Sequence, residues 1–124
     1  MRALNVVVAQ LDAPNAERLA ASLYGHFRSV AVARSLEELR DAIPKNHADA
    51  AIVDLELIGL RDLADLRQAY RTTTIVCTHR CADEEMWAAA LAAGASDMCS
   101  SGNVDDIISC TLRSLDALAS TRAA

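Results

Sequence analysis

The chain lacks most of the features that would tie it to a disulfide scaffold, a nucleic acid, a membrane or a nucleotide. It has only 4 cysteines, and Cys77, Cys81, Cys99 and Cys110 contain no Cys-x-x-Cys pair. That excludes a disulfide framework and leaves no paired zinc-ligand turn, so the thiols read as small hydrophobes. Basic residues are in the minority, 12 against 17 acidic ones for a net charge of −5, the wrong sign for clamping nucleic acid. No apolar run is long: the longest stretch without a charged or strongly polar residue, Met86 to Ala95, is about half of the ~20 residues that a membrane span needs. Met1-Arg2-Ala3-Leu4-Asn5 runs straight into a strand-like segment and shows no export signal. Glycine is absent from Gln10-Leu11-Asp12-Ala13-Pro14, so the first apolar run is not followed by a phosphate-cradling loop. The expectation is a cytoplasmic domain that is no enzyme and touches neither membrane nor nucleic acid directly.

What is present is core material. Apolar residues make up 52% and charged residues 23% of 124 residues, enough for one domain over 1–124 with a core from about 4 to 118 and a polar tail that frays. Two periodicities alternate along the chain. Leu4–Ala9, Ser29–Ala33, Ala50–Asp54, Thr74–Thr78 and Ser96–Cys99 are short, mostly β-branched or apolar runs of the kind buried on both faces of a sheet. Between them lie helical patterns. Pro14 opens the first, in which Leu19, Leu23 and Phe27 recur and Gly25 is the expected stop. Ser35-Leu36-Glu37-Glu38 reads as a capping box for the second, which Pro44 ends. Leu63, Leu66 and Tyr70 mark the third, Asp83-Glu84-Glu85 opens an alanine-rich fourth, and Asn103 caps a fifth bearing Ile108, Leu112 and Leu115. Strictly alternating strands and helices imply an α/β fold with a parallel sheet covered on both faces.

In such sheets ligands bind at the carboxyl ends of strands, near the point where strand order reverses. Asp54 is the residue that stands out there. It ends the run Ala50-Ala51-Ile52-Val53, so the sheet fixes its backbone while its carboxylate emerges at the ligand edge, able to act as a nucleophile or to ligate a hard cation. Capping a loop is the other role open to it.

Three segments carry a family resemblance. Ala48–Gly59 around Asp54, Ile75-Val76-Cys77-Thr78, and Ala92-Ala93-Gly94-Ala95-Ser96-Asp97 together resemble, at the right separations, the receiver domain of bacterial two-component response regulators. The likeness spans about Leu4 to Leu118. It implies a flavodoxin-like, doubly wound sheet of strand order 2-1-3-4-5 with five helices. It also implies Asp54 as acceptor of a phosphoryl group from a histidine kinase or phosphotransfer protein, with the Thr78 hydroxyl contacting that group. By the same resemblance Asp12, Asp54 and the backbone carbonyl of Glu56 would hold Mg2+. An effector, or an output domain, would read the face formed by the fourth helix, fifth strand and fifth helix, which could also pair two copies.

The likeness is incomplete. The family's acid pair reads Gln10-Leu11 here, and Asp12, one residue late, either reaches the metal or only starts the turn before Pro14. The family's lysine after the fifth strand is replaced by Ser101-Gly102, Met98 stands at the aromatic switch position, and His79 follows the threonine. Losing a charge-assisted contact of the lysine type costs roughly 1.5–3 kcal/mol. Arg80 reads as a solvated loop residue, with supplying the missing positive charge as its alternative role. The sequence therefore describes an atypical receiver: either one still phosphorylated on Asp54, or a pseudo-receiver that docks partners whatever its phosphorylation state.

Overall fold

The structure, a computed structural model, describes the backbone of residues 2–123 and the side chains of residues 3–120. Ten elements alternate: β1 (Arg2–Ala9), α1 (Ala13–Leu23), β2 (Phe27–Ala33), α2 (Leu36–Lys45), β3 (Ala50–Asp54), α3 (Leu60–Ala69), β4 (Thr74–His79), α4 (Glu84–Ala92), β5 (Asp97–Ser100) and α5 (Val104–Ala123). The five strands form one sheet in the order β2-β1-β3-β4-β5, every neighbouring pair parallel. Strand order reverses between β1 and β3, so the crevice expected to receive a ligand opens past Ala9 and Asp54.

Alternation along each central strand divides the core in two. Val6, Val8 and Ile52 point to one face, where α1 and α5 cover them with Leu19, Leu23, Ile107 and Leu115. Val7, Ala9, Ala51 and Val53 point to the other, under Leu39 of α2, Leu63 and Leu66 of α3 and Ala90 of α4. Because both faces are covered, β3 shows no polar–apolar alternation: all five of its residues are buried, the terminal carboxylate included.

The element boundaries differ from the sequence reading in physically instructive ways. Phe27, placed above on the first helical stripe, instead opens β2 and is fully buried against the α1 face. The helix ends at Leu23 with Tyr24 as C-cap, so Gly25 stands directly after the cap, where the stop was expected. At α2, Ser35 Oγ accepts from Glu38 N–H at 3.1 Å, but the Glu38 carboxylate takes the N–H of Arg34 at 3.3 Å rather than that of Ser35. Pro44 lies within the last turn of α2, where the helix ends one residue later. β5 runs one residue beyond expectation, to Ser100, and α5 extends to Ala123. Among the described residues, no helix is long and apolar enough to cross a membrane.

Candidate functional site

The carboxyl ends of β1, β3 and β4 meet around Asp54. Register pairs Ala9 with Val53, and Asp54 with Thr78, which brings the acid and the hydroxyl residue onto adjacent strands. Asp54 is 5% exposed and forms part of the floor of a cavity of about 370 Å³, whose lining also includes Leu11, Asp12, Glu56, Arg80 and Ser101. Both carboxylate oxygens accept backbone hydrogen bonds: Oδ2 from Leu11 N–H at 3.1 Å and Oδ1 from Glu56 N–H at 2.9 Å. The two loops that follow β1 and β3 thus clamp the Asp54 side chain from opposite sides.

Thr78 reaches the site differently. It is fully buried, and its hydroxyl accepts from the Gln10 side-chain amide at 3.1 Å while donating to Gln10 Oε1 at 3.4 Å. Gln10 is itself buried, with its amide also donating to Ala9 C=O at 3.3 Å. Gln10 therefore closes a neutral hydrogen-bonded pair with Thr78.

Asp12 is the N-cap of α1, its Oδ2 accepting from Asn15 N–H at 3.2 Å, which is the turn-starting role weighed above for it. It also borders the cavity, as does Ser101. Glu56 was singled out above only for its carbonyl, but its side chain does more. Arg80 holds it twice, with backbone N–H donating to Oε1 at 3.1 Å and Nε lying 2.9 Å from each carboxylate oxygen. Hydrogen bonds from the Arg80 backbone and side chain lower the Glu56 pKa, and those with Glu56 raise that of Arg80, so the pair favours its charged form at both ends. Arg80 is thus not merely solvated, although its side chain is 80% exposed. The sequence gave no cue for this contact, because 24 residues separate the partners and only the β3–β4 pairing brings them together.

Two other residues resolve simply. His79 Nδ1 accepts from Cys81 N–H at 2.9 Å, which tightens the turn after β4. The chain's single lysine, Lys45, lies at the end of α2. Asn5 Nδ2, near the start of β1, donates to His47 C=O at 3.4 Å, so that stretch of chain sits at the opposite edge of the sheet and no lysine can reach the cavity. Among the described residues, no three His, Cys, Asp or Glu side chains converge closely enough to hold a metal ion.

A second cavity, of about 420 Å³, opens between α4 and α5 over β5. Met98, Cys99 and Cys110 form part of its wall, with Arg113 and Trp87 beside them. Trp87 is 46% exposed, and Leu91, one turn further along α4, is exposed as well. Two large apolar side chains thus form a stripe beside this cavity.

Comparison with solved structures defines the class. A chain from Chloroflexus aurantiacus, provisionally described as a response regulator, is 25% identical, with 93% of this chain and 99% of that one covered and a TM-score of 0.82. The receiver domain of the Francisella response regulator 1452 gives a TM-score of 0.81 at 19% identity, over 92% of this chain and 98% of its own. NtrX from Brucella abortus, solved with ADP, gives 0.88 at 18% identity over 98% of this chain but only 28% of NtrX, which is far longer. The fold is that of a response regulator receiver domain. No family profile matches the chain, and neither does any curated protein. Within that fold, Gln10 and Leu11 follow β1 and Ser101 follows β5.

Proposed function

We propose that this receiver-fold domain is a signalling module that binds its partner without phosphotransfer. The observation that carries the proposal is the closed Gln10–Thr78 pair: the hydroxyl that would contact a phosphoryl group is buried and committed to a neighbouring amide. The electrostatics point the same way. An attacking carboxylate and an incoming phosphoryl group repel, and the charge must be offset by cations. Magnesium, which the resemblance implies, takes near-octahedral oxygen ligands, usually one or two carboxylates with waters and phosphate oxygens. Here one Asp12 oxygen caps α1, both Asp54 oxygens hold backbone N–H groups, and the Glu56 carboxylate is paired with Arg80. The donor set does not fit the ion, and no lysine replaces it.

In this reading the working surface is the α4-β5-α5 face. Trp87 and Leu91 supply the apolar anchors there, and the cavity beside them accepts a side chain from an effector protein. The domain acts in the cytoplasm, among the proteins of a two-component system, as a binding partner and not as a catalyst. Pairing of two copies through the same face would compete with the effector.

One observation favours a second reading, in which Asp54 accepts a phosphoryl group. Its carboxylate lies at a cavity floor and is aimed by two backbone N–H groups. A carboxylate oxygen would form the new bond to phosphorus as the donor's leaving group departs. Incubation with acetyl phosphate or beryllofluoride plus magnesium separates the two. The proposal expects no mass gain of one phosphoryl group and no magnesium-dependent change in Trp87 fluorescence. A mass gain abolished by Asp54→Asn would establish the second reading instead.

A further inference from the structure

Three carboxylates border the cavity at Asp54, and among the described residues that line it one guanidinium faces them. Arg80 meets that charge through Glu56, which it grips with backbone and side chain together, the contacts ranging from 2.9 to 3.1 Å. The grip is a product of the fold. Glu56 N–H is tied to Asp54 at the end of β3, Leu55 N–H donates to Thr78 C=O at 2.9 Å, and Arg80 follows directly on β4. The pair therefore sits at a fixed place on the rim, two strands wide, and not at the end of two freely rotating side chains. The mutual shifts of the two groups toward their charged forms agree with this geometry.

We infer that Arg80 is the cation of this cup: by holding the Glu56 carboxylate it takes the electrostatic place of a divalent ion and excludes such an ion from the site. Asp54 and Asp12 are too few and too committed to bind an ion against a guanidinium on the same rim. With the guanidinium gone, Glu56 loses the partner that holds it and the cup becomes more negative, which draws a hard cation more strongly even though no three carboxylates converge into a ligand set. Arg80 thus decides what the cup accepts. The inference deepens the reading of the cup given above, but it is tested separately, because ion binding is measured without a phosphodonor or a partner.

The test uses Mn2+ as a paramagnetic probe of the 15N-labelled chain, read as line broadening of the Leu11, Asp54 and Glu56 amides, with Mg2+ as competitor. Wild type is expected to show no broadening localised to these amides. Arg80→Ala should bind Mn2+ roughly tenfold more tightly, the scale set by removing one unit charge a few ångströms from a divalent ion in a water-like dielectric. Arg80→Lys, which keeps the charge, should stay close to wild type, and R80A combined with Asp54→Asn should lose the gain. The side chain of Arg80 is largely exposed, so the single Arg80 variants leave the core intact. Localised, Mg2+-competed broadening in the wild type would overturn the inference, as would an R80A variant that binds no more tightly than wild type.

Discussion

At the residue scale, the tightest constraint lies away from the cup. Gly94 follows α4 with φ +114°, a conformation that residues with a side chain rarely adopt. A Cβ there would lie 2.6 Å from Arg67 Cγ and 2.8 Å from its Cβ. Arg67 cannot simply move aside. Its Nε donates to Gly94 C=O at 2.8 Å and its NH1 to Thr73 C=O at 2.7 Å, while NH2 reaches Ser96 Oγ at 3.2 Å, so one guanidinium ties the end of α3 to the starts of β4 and β5. Gly94→Ala should therefore cost roughly 2–3 kcal/mol, from backbone strain and displacement of Arg67 together, visible as a lower denaturant midpoint at unchanged slope. The sequence marked Gly94 as part of a family signature. It gave no hint that Arg67 is the reason.

At the scale of elements, α4 is the one whose formation rests most on its ends. It buries only Ala90 fully and carries an exposed apolar stripe, so packing contributes less to it than to α1. Its start is well made: Asp83 Oδ1 accepts from Met86 N–H at 2.8 Å, and Glu84 and Glu85 place negative charge in the first turn, where the helix dipole favours it. Asp83→Ala should cost about 1 kcal/mol and fray the first turn, read as faster amide exchange at Met86 and Trp87 without loss of the remaining fold. If this face docks a partner, the same variant weakens the docking through order rather than contact. The aspartate and two glutamates were plain in the sequence as a helix start. The exposure of Trp87 was not, because alanine on every side leaves no periodicity to tell the core face from the outer one.

At the scale of the whole molecule, two apolar layers sandwich a sheet from which water is excluded, and the buried thiols report that exclusion. Burial pushes the Cys77 thiol up to about 12 from its usual 9.0, because the thiolate has no solvation in the interior. A folded-state value raised above the unfolded one means that the stabilisation is complete below about pH 9 and is lost as pH rises toward 12. Stability measured by denaturant across that window should fall, and Cys77→Ala should flatten the fall relative to wild type. A variant that loses stability as steeply as wild type over the same range would show that Cys77 does not carry the effect.

The sequence by itself determined the order of elements, the parallel sheet and the position of Asp54 at its ligand edge. These follow from local signals: unbroken apolar runs, caps such as Ser35, Asp83 and Asn103, and a carboxylate ending the third run. Through the resemblance it also marked Gln10-Leu11 and Ser101-Gly102 as the places where the likeness breaks off, since such departures are legible one residue at a time. Only the tertiary structure decided what those departures do. Gln10 lies 68 residues from Thr78 and Glu56 lies 24 from Arg80, and no local pattern couples residues that far apart. Their pairing arises from strand register, which is set by how two hydrophobic layers pack against the sheet and therefore belongs to the folded molecule alone.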